Sequence, residues 1–235
     1  MINIFGLEIS PYAICFLMSF VVSFIIISFL LKKSGVPGNI IIYSLMLSVV
    51  LCIYGAMMYG VIYSGFRKGI MDAGFSSLGG AIGLMASIAI MCLIYKDGKR
   101  HLWDAYLAVL PLFYAISKIG CSIMGCCRGI PYDGILSVSY NNKLISTGKV
   151  FPVQMMESLV FFCIFFICVS VYFKFRDYNK SVALILCALA KGLMDFLRDE
   201  HIGVTISLNQ IICIVFLLIG ICLLVKTYKS KTKSC

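Results

Sequence analysis

Long apolar runs constrain this chain more than any motif in it. They lie at roughly 11–31, 39–63, 71–95, 105–126, 153–173, 181–197 and 210–225. About 20 apolar residues carry a helix across the hydrocarbon of a bilayer. In lipid the backbone must satisfy its own hydrogen bonds, which a helix does. The chain is 61% apolar and 13% charged, against roughly 45–50% apolar for an ordinary soluble domain. The expected fold is therefore all-α: an integral membrane protein of about seven transmembrane helices, one polytopic domain over 1–235. The longest polar stretch, 128–151, holds Gly, Pro, Asp, Asn and Ser, and reads as an ordered loop or short hairpin at the membrane surface. The first run is too long for a cleavable signal, has no basic segment before it and no small-residue cleavage pattern after it.

The formal charge of +10 admits nucleic acid as a partner. The basic residues are scattered between apolar runs, however, and make no stripe with interleaved aromatics. No nucleic-acid partner is expected. Topogenic charge and anionic lipid explain the balance. With the N-terminus outside, the inner segments carry Lys32, Lys33, Lys96, Lys99, Arg100, Lys174, Arg176, Lys180, Lys226, Lys229, Lys231 and Lys233. The outer segments carry only Arg67, Lys68, Arg128, Lys143, Lys149 and Arg198. The positive-inside bias thus places the N-terminus outside, the C-terminus in the cytoplasm, and the 128–151 loop on the outer face.

A few ionisable residues remain within or at the ends of the runs: Lys118, Glu157, Lys191 and Asp195. A charge at the centre of a span costs roughly 2.5–3.5 kcal/mol, so such residues face protein or a watered cavity. At about 100° per residue, Lys191, Asp195 and Arg198 fall within about 60° of one another on the sixth helix. Under the expected topology, Lys118 and Glu157 lie at a similar depth, in the outer half of the membrane. Three chemistries suit such a cluster: an ion-pair network that pins helices, an anion site for a lipid phosphate, and a proton path.

Two further segments stand out. Lys118-Ile-Gly-Cys-Ser-Ile-Met-Gly-Cys-Cys-Arg-Gly-Ile-Pro131 ends a span in irregular backbone. Its Cys121, Cys126 and Cys127 are spaced four then zero, with no neighbouring histidine, unlike the usual zinc pairings. No metal is expected there, and packing is the default role. Gly74-Phe-Ser-Ser-Leu-Gly-Gly-Ala-Ile-Gly83 opens the third run, and its Gly79/Gly83 pair signals close helix packing.

Together these pieces resemble the bacterial prolipoprotein diacylglyceryl transferase family. Tyr12 sits where that family has a functional tyrosine, and Gly79-Gly80 matches its third-span glycine segment. Lys118-Ile-Gly120, with Gly125 and Gly129, follows its signature R-x-G-N-x-x-N-G-E-x-x-G. Phe151-Pro-Val-Gln-Met-Met-Glu157 is similar to H-P-x-Q-L-Y-E, and Lys191-Gly-Leu-Met-Asp-Phe-Leu-Arg198 to R-x-x-x-E-F-x-R. Ile206-Ser-Leu-Asn-Gln210 resembles I-S-M-G-Q at the start of the last span. The departures are specific. Lys118 and Lys191 stand for arginines, Leu78 and Phe151 for histidines, and Cys121 and Cys126 for an asparagine and a glutamate.

The resemblance implies a multi-pass enzyme of the bacterial plasma membrane with no cofactor. Its substrates would be a phospholipid, phosphatidylglycerol, and a prolipoprotein or small lipobox peptide whose cysteine thiol accepts the diacylglyceryl group. Lys118, Lys191, Asp195, Glu157 and Tyr12 are the implied catalytic set. Arg198, Gln154, Gly79, Gly80, Gly120 and Gly129 are the implied substrate-binding set. In this scheme Lys118, Lys191 and Arg198 cradle the lipid phosphate, the carboxylates hold those cations, and Tyr12 and Gln154 bond the head group. A lapsed lipid-binding accessory protein is the alternative. A small transporter has less support, since no internal repeat is evident.

Overall fold

The computed structural model describes residues 2–4, 7–67, 69, 74–141, 148–202 and 205–232, with only the backbone for 2–4, 7–9 and 201. Lys68, Lys143, Lys233 and positions 71–73 of the third run lie outside the described residues.

A short antiparallel hairpin, β1 (Ile2–Ile4) and β2 (Leu7–Ile9), precedes the helices. The helices are α1 (Pro11–Lys33), α2 (Gly38–Tyr63), α3 (Ser77–Ile94), α4 (Lys99–Met124), α5 (Val153–Lys174), α6 (Asn179–Asp195) and α7 (Leu208–Thr232). Each apolar run thus corresponds to a helix. Among the described residues, six are long and apolar enough to cross a membrane; α6, with 17 residues, is not among them. Its first turn contains Asn179 and Lys180, Lys191 lies one turn before its end and Asp195 ends it, so the apolar stretch between is short.

Local chemistry sets several helix starts. Pro11 occupies the first turn of α1, where its missing N–H costs nothing, and the Ser10 hydroxyl accepts from Ala13 N at 3.2 Å. Ser76 caps α3 through Gly79 N, so that helix begins later than its apolar run. By contrast, α4 begins six residues earlier than its run, through Lys99, Arg100 and Asp104. There Arg100 and Asp104 pair across one turn at 3.6 Å.

The burial pattern is that of a membrane protein. Leu17, Ile25, Phe29, Met46 and Phe166 point outward and are exposed, while Ser19, Ser23, Ser44, Ser48 and Ser87 are buried. Lipid solvates apolar side chains, so small polar residues go to helix contacts instead. The inward hydroxyls of Ser44, Ser48 and Ser87 each donate to a carbonyl three residues back, at 2.7–2.8 Å. The chain is an all-α, multi-pass membrane protein.

Two compact units divide it, Met1–Val22 with Pro111–Cys235, and Ser23–Leu110. Within the second, α2 and α3 pack through small residues. Gly79 faces Gly55 and Tyr59, Gly83 faces the Leu51 carbonyl, and Gly80 faces Cys52. The Gly79/Gly83 pair accordingly serves close packing. Tyr106 of α4 donates to Ser44 of α2 at 3.0 Å.

Within the first unit, Phe16 and Phe20 of α1 stack edge-on against Phe113 of α4, with centroids 5.8 and 4.6 Å apart. Gly120 lies against Tyr12 and Cys15 of α1. Lys231 of α7 pairs with Asp177, in the turn between α5 and α6, at 2.7 Å. That pair joins two segments the charge bias assigns to one side. The described parts of the segment after α4 pair with one another irregularly. Val138 and Val150 exchange both backbone bonds at 3.0 Å, and Tyr132 N donates to Lys149 O at 3.0 Å.

Candidate functional site

The carboxylate of Glu157 is the centre of the first unit's polar interior. It sits in the second turn of α5, fully buried. Lys118 of α4 reaches its Oε2 at 3.0 Å, and Lys191 of α6 reaches its Oε1 at 3.0 Å. The Arg198 Nη2 contacts both oxygens, at 2.9 and 3.0 Å. A fourth donor is the Tyr114 hydroxyl, at 2.9 Å from Oε1. The Tyr114 ring also receives the Lys118 and Lys191 ammoniums, 5.2 and 5.6 Å from its centroid. Each lysine is thus held twice, by the carboxylate charge and by the ring quadrupole.

Four elements aim these groups. Tyr114 precedes Lys118 by one helical turn, so both face α5. Phe161 lies against Tyr114 at 4.2 Å between centroids and fixes the ring. Ser158 of α5 donates to the Ala115 carbonyl at 2.9 Å, which sets α5 against α4. Arg198 follows α6 in extended backbone, φ −94° and ψ 143°, and not on its helical face. Its segment is clamped into the loop: Gly129 bridges Arg198, Ile130 N donates to Leu197 O at 3.1 Å, and Asp199 N to Arg128 O at 3.1 Å. Gly129 is required there, because any Cβ would strike the Phe151 carbonyl.

Asp195 departs from the expected helical stripe. It does not share Glu157's place among the cations. Its Oδ2 accepts from Ser207 at 2.5 Å and its Oδ1 from Asn209 at 3.5 Å, while the Arg198 Nε stands 4.0 Å away. Ser207 and Gln210 form a reciprocal cap on α7: Gln210 N donates to Ser207 Oγ at 3.1 Å, and Ser207 N to Gln210 Oε1 at 3.0 Å. Asp195 therefore moors the start of α7 to the end of α6. The helix ends at Asp195, so a face extrapolated to Arg198 misplaces that guanidinium.

The remaining expected residues lie around this knot or apart from it. Gln154 donates to the Cys126 carbonyl at 2.7 Å and accepts from Tyr140 at 3.4 Å, and so holds the loop over α5. Tyr12 is half-buried beside Lys118, Cys121, Cys126 and Cys127. Gly120 gives α1 its close approach. Gly79 and Gly80, with Leu78, belong to the other compact unit, where they pack on α2.

The linear spacing conceals the thiols. The sulfurs of Cys121, Cys126 and Cys127 all lie within 4.8 Å of one another. Gly125 at φ +73° and Cys127 at φ +52° turn the backbone after α4 and fold it onto Cys121. The Cys126 thiol donates to the Cys121 carbonyl at 3.6 Å. Tyr114 is the other residue that motif reading misses. Its signal is the four-residue spacing to an intramembrane lysine.

Counting Lys118, Lys191 and Arg198 against Glu157 and Asp195, three charges minus two, the interior keeps one net positive charge. The buried Arg198 Nε, moreover, has no hydrogen-bond partner among the described residues. Such a surplus suits an anion. A family model for prolipoprotein diacylglyceryl transferase matches residues 1–226. A phosphatidylglycerol–prolipoprotein diacylglyceryl transferase of Finegoldia magna is 24% identical, covering 99% of this chain and 96% of the relative. One of Clostridium tetani is 23% identical over 93% of each. The phosphatidylglycerol–prolipoprotein diacylglyceryl transferase 2 of Clostridium perfringens is 27% identical over 73% of this chain and 67% of its own. With the order of its motifs and a match over nearly its whole length, the chain belongs to the prolipoprotein diacylglyceryl transferase family.

Proposed function

We propose that this protein transfers a diacylglyceryl group from phosphatidylglycerol to the cysteine thiol of a prolipoprotein or small lipobox peptide, in the bacterial plasma membrane, with its N-terminus outside and C-terminus in the cytoplasm. The relatives are named for that reaction. The observation that carries the reading is the convergence of Lys118, Lys191 and Arg198 on one buried carboxylate, with cationic charge left over.

The reaction is a displacement at carbon. A thiolate attacks the glyceryl carbon, the carbon–oxygen bond to phosphate breaks, and glycerol phosphate leaves with the electron pair. The leaving phosphate gains charge as the bond breaks, and prepositioned cations stabilise that charge in the transition state. Lys118, Lys191 and Arg198 supply those cations; Glu157 holds all three aimed before lipid arrives, and the Tyr114 ring holds the two lysines as well. Lysine meets phosphate as a point charge, whereas arginine meets it as a fork. The two family arginines replaced here thus keep their charge and lose their bidentate geometry. Gln154 and Tyr12 border the site as candidate head-group contacts. Asp195 acts one step removed, by positioning Arg198 and α7.

The test is purified protein in phosphatidylglycerol liposomes with a lipobox peptide, read by mass spectrometry. Wild type gives a diacylglyceryl adduct. Lys118→Met and Lys191→Met give none while remaining folded. Adduct formation by both variants rules out the cradle. Leu78 and Phe151, apolar where the family has histidines, favour a second reading, a lipid-binding accessory protein. Phosphatidylglycerol retained in the purified wild type, with no adduct, is its signature.

A further inference from the structure

The cluster of thiols bordering the cations has no assigned role, and its geometry is unusual for packing. Cys121 lies one turn after Lys118 on α4. Cys126 and Cys127 come from the turn that follows, and the three sulfurs lie within 4.8 Å of one another. Cys127 holds a left-handed φ of +52°, a conformation that residues with a side chain seldom adopt. The turn is also anchored from α5, through the Gln154 bond to the Cys126 carbonyl at 2.7 Å. Strained backbone that brings three chemically soft side chains together is a feature of functional sites.

Zinc-type ions bind thiolate at about 2.3 Å, which puts tetrahedral sulfurs about 3.8 Å apart. The widest pair here therefore has about 1 Å to close, from 4.8 Å. Cys121 is buried, while Cys126 and Cys127 are partly exposed. Charge agrees as well. Three thiolates on a divalent ion carry one net negative charge, and Lys118 and Arg198 are charged neighbours of Cys127.

We propose that Cys121, Cys126 and Cys127 form a three-thiolate site for a thiophilic divalent cation of the zinc class, its fourth coordination position open to the thiol of the acceptor. Three protein ligands and one open position are the pattern of catalytic zinc sites, and structural sites take four. The acceptor role rests on the transferase reading; the ion site does not. A coordinated thiol gives up its proton outright, here to water. Its sulfur pair then forms the carbon–sulfur bond to the glyceryl carbon, and the carbon–oxygen bond to phosphate breaks with its pair retained on the phosphate oxygen. This supplies the deprotonation step in a chain that has Leu78 and Phe151 where the family has histidines.

Cobalt(II) is the probe. Full-length protein in detergent and reductant, stripped with chelator, is titrated with Co2+. The expected result is one equivalent bound with strong thiolate-to-cobalt charge-transfer absorption, displaced by Zn2+. Cys121→Ser, Cys126→Ser and Cys127→Ser each lose most of that band, whereas Cys168→Ser in α5 keeps it. A lipobox peptide then shifts the ligand-field bands, and its Cys→Ser counterpart does not. No charge-transfer band in wild type, or a band that survives in the triple serine variant, overturns the site. Ligand-field bands unmoved by the cysteine peptide overturn the open position. The readout does not depend on turnover. Peptide-sensitive cobalt without any adduct supports the site and sinks the transferase reading. Full-rate transfer by the triple serine variant supports the transferase reading and overturns the acceptor role of the ion.

Discussion

The α2–α3 contact and the α4–α7 interior solve the same problem with opposite means. Between α2 and α3, Gly55, Gly79 and Gly83 let backbones touch, and buried serines bond their own helices. Nothing charged is needed. Around Glu157, helices meet through full charges whose desolvation largely cancels their attraction. This protein therefore joins helices without ions where joining is all that is required. The ionic interior is a costly way to make a contact, and its charges are explained better by a ligand than by adhesion.

The sharpest way to break that comparison is to remove the one central carboxylate. Glu157→Ala leaves three cations buried without their common partner. Removing one member of a buried pair costs about 3–5 kcal/mol, so the variant should lose both activity and a monodisperse peak in detergent. Thermal unfolding measured beside wild type checks it. Gly83→Leu tests the other region, where the side chain meets the Leu51 carbonyl. A loss of about 1–3 kcal/mol is expected from overpacking. If Gly83→Leu is harmless, the α2–α3 contact is looser than described.

Smaller effects sharpen the same contrast. Ser207→Ala removes the cap of α7 and its bond to Asp195 together. Loss of such a cap costs about 0.5–2 kcal/mol, and transfer should fall partly, through misplacement of Arg198, with Ser207→Thr restoring it. Steady-state rates of both variants measure this. Arg128→Ala, in the exposed pair with Asp199, should change stability by under about 1 kcal/mol. A large effect there would mean that the loop clamp is ionic and not the backbone pairing seen between 128–130 and 197–199.

Much of this was legible in the residues because expense is visible in a linear chain. Lys118, Glu157 and Lys191 stand out in apolar runs, and all three meet in space. The helices follow the runs because hydropathy is a local property. What escaped notice depends on other information. Tyr114 is an ordinary residue in an apolar run until its ring is seen between two ammoniums. The thiols converge through backbone angles at Gly125 and Cys127, which spacing does not encode. Asp195 shares a helical face with Lys191, yet capping demand from α7 decides its partner. Hydropathy alone also does not reveal that α6, with 17 residues and polar ends, is shorter in its apolar stretch than the other helices.

That short helix has a consequence for how the protein is made. Its charges make it a poor candidate to leave an insertion channel for lipid unaided, at roughly 2.5–3.5 kcal/mol for each charge at mid-depth. Glu157, the partner of Lys191, is translated 34 residues earlier. Ser207, the partner of Asp195, follows that residue by 12. The order of synthesis thus offers α6 a counter-charge already in place before it emerges and a hydrogen-bond donor soon after. Helices α5, α6 and α7 are best understood as one unit of biogenesis, delivered to the bilayer as a group.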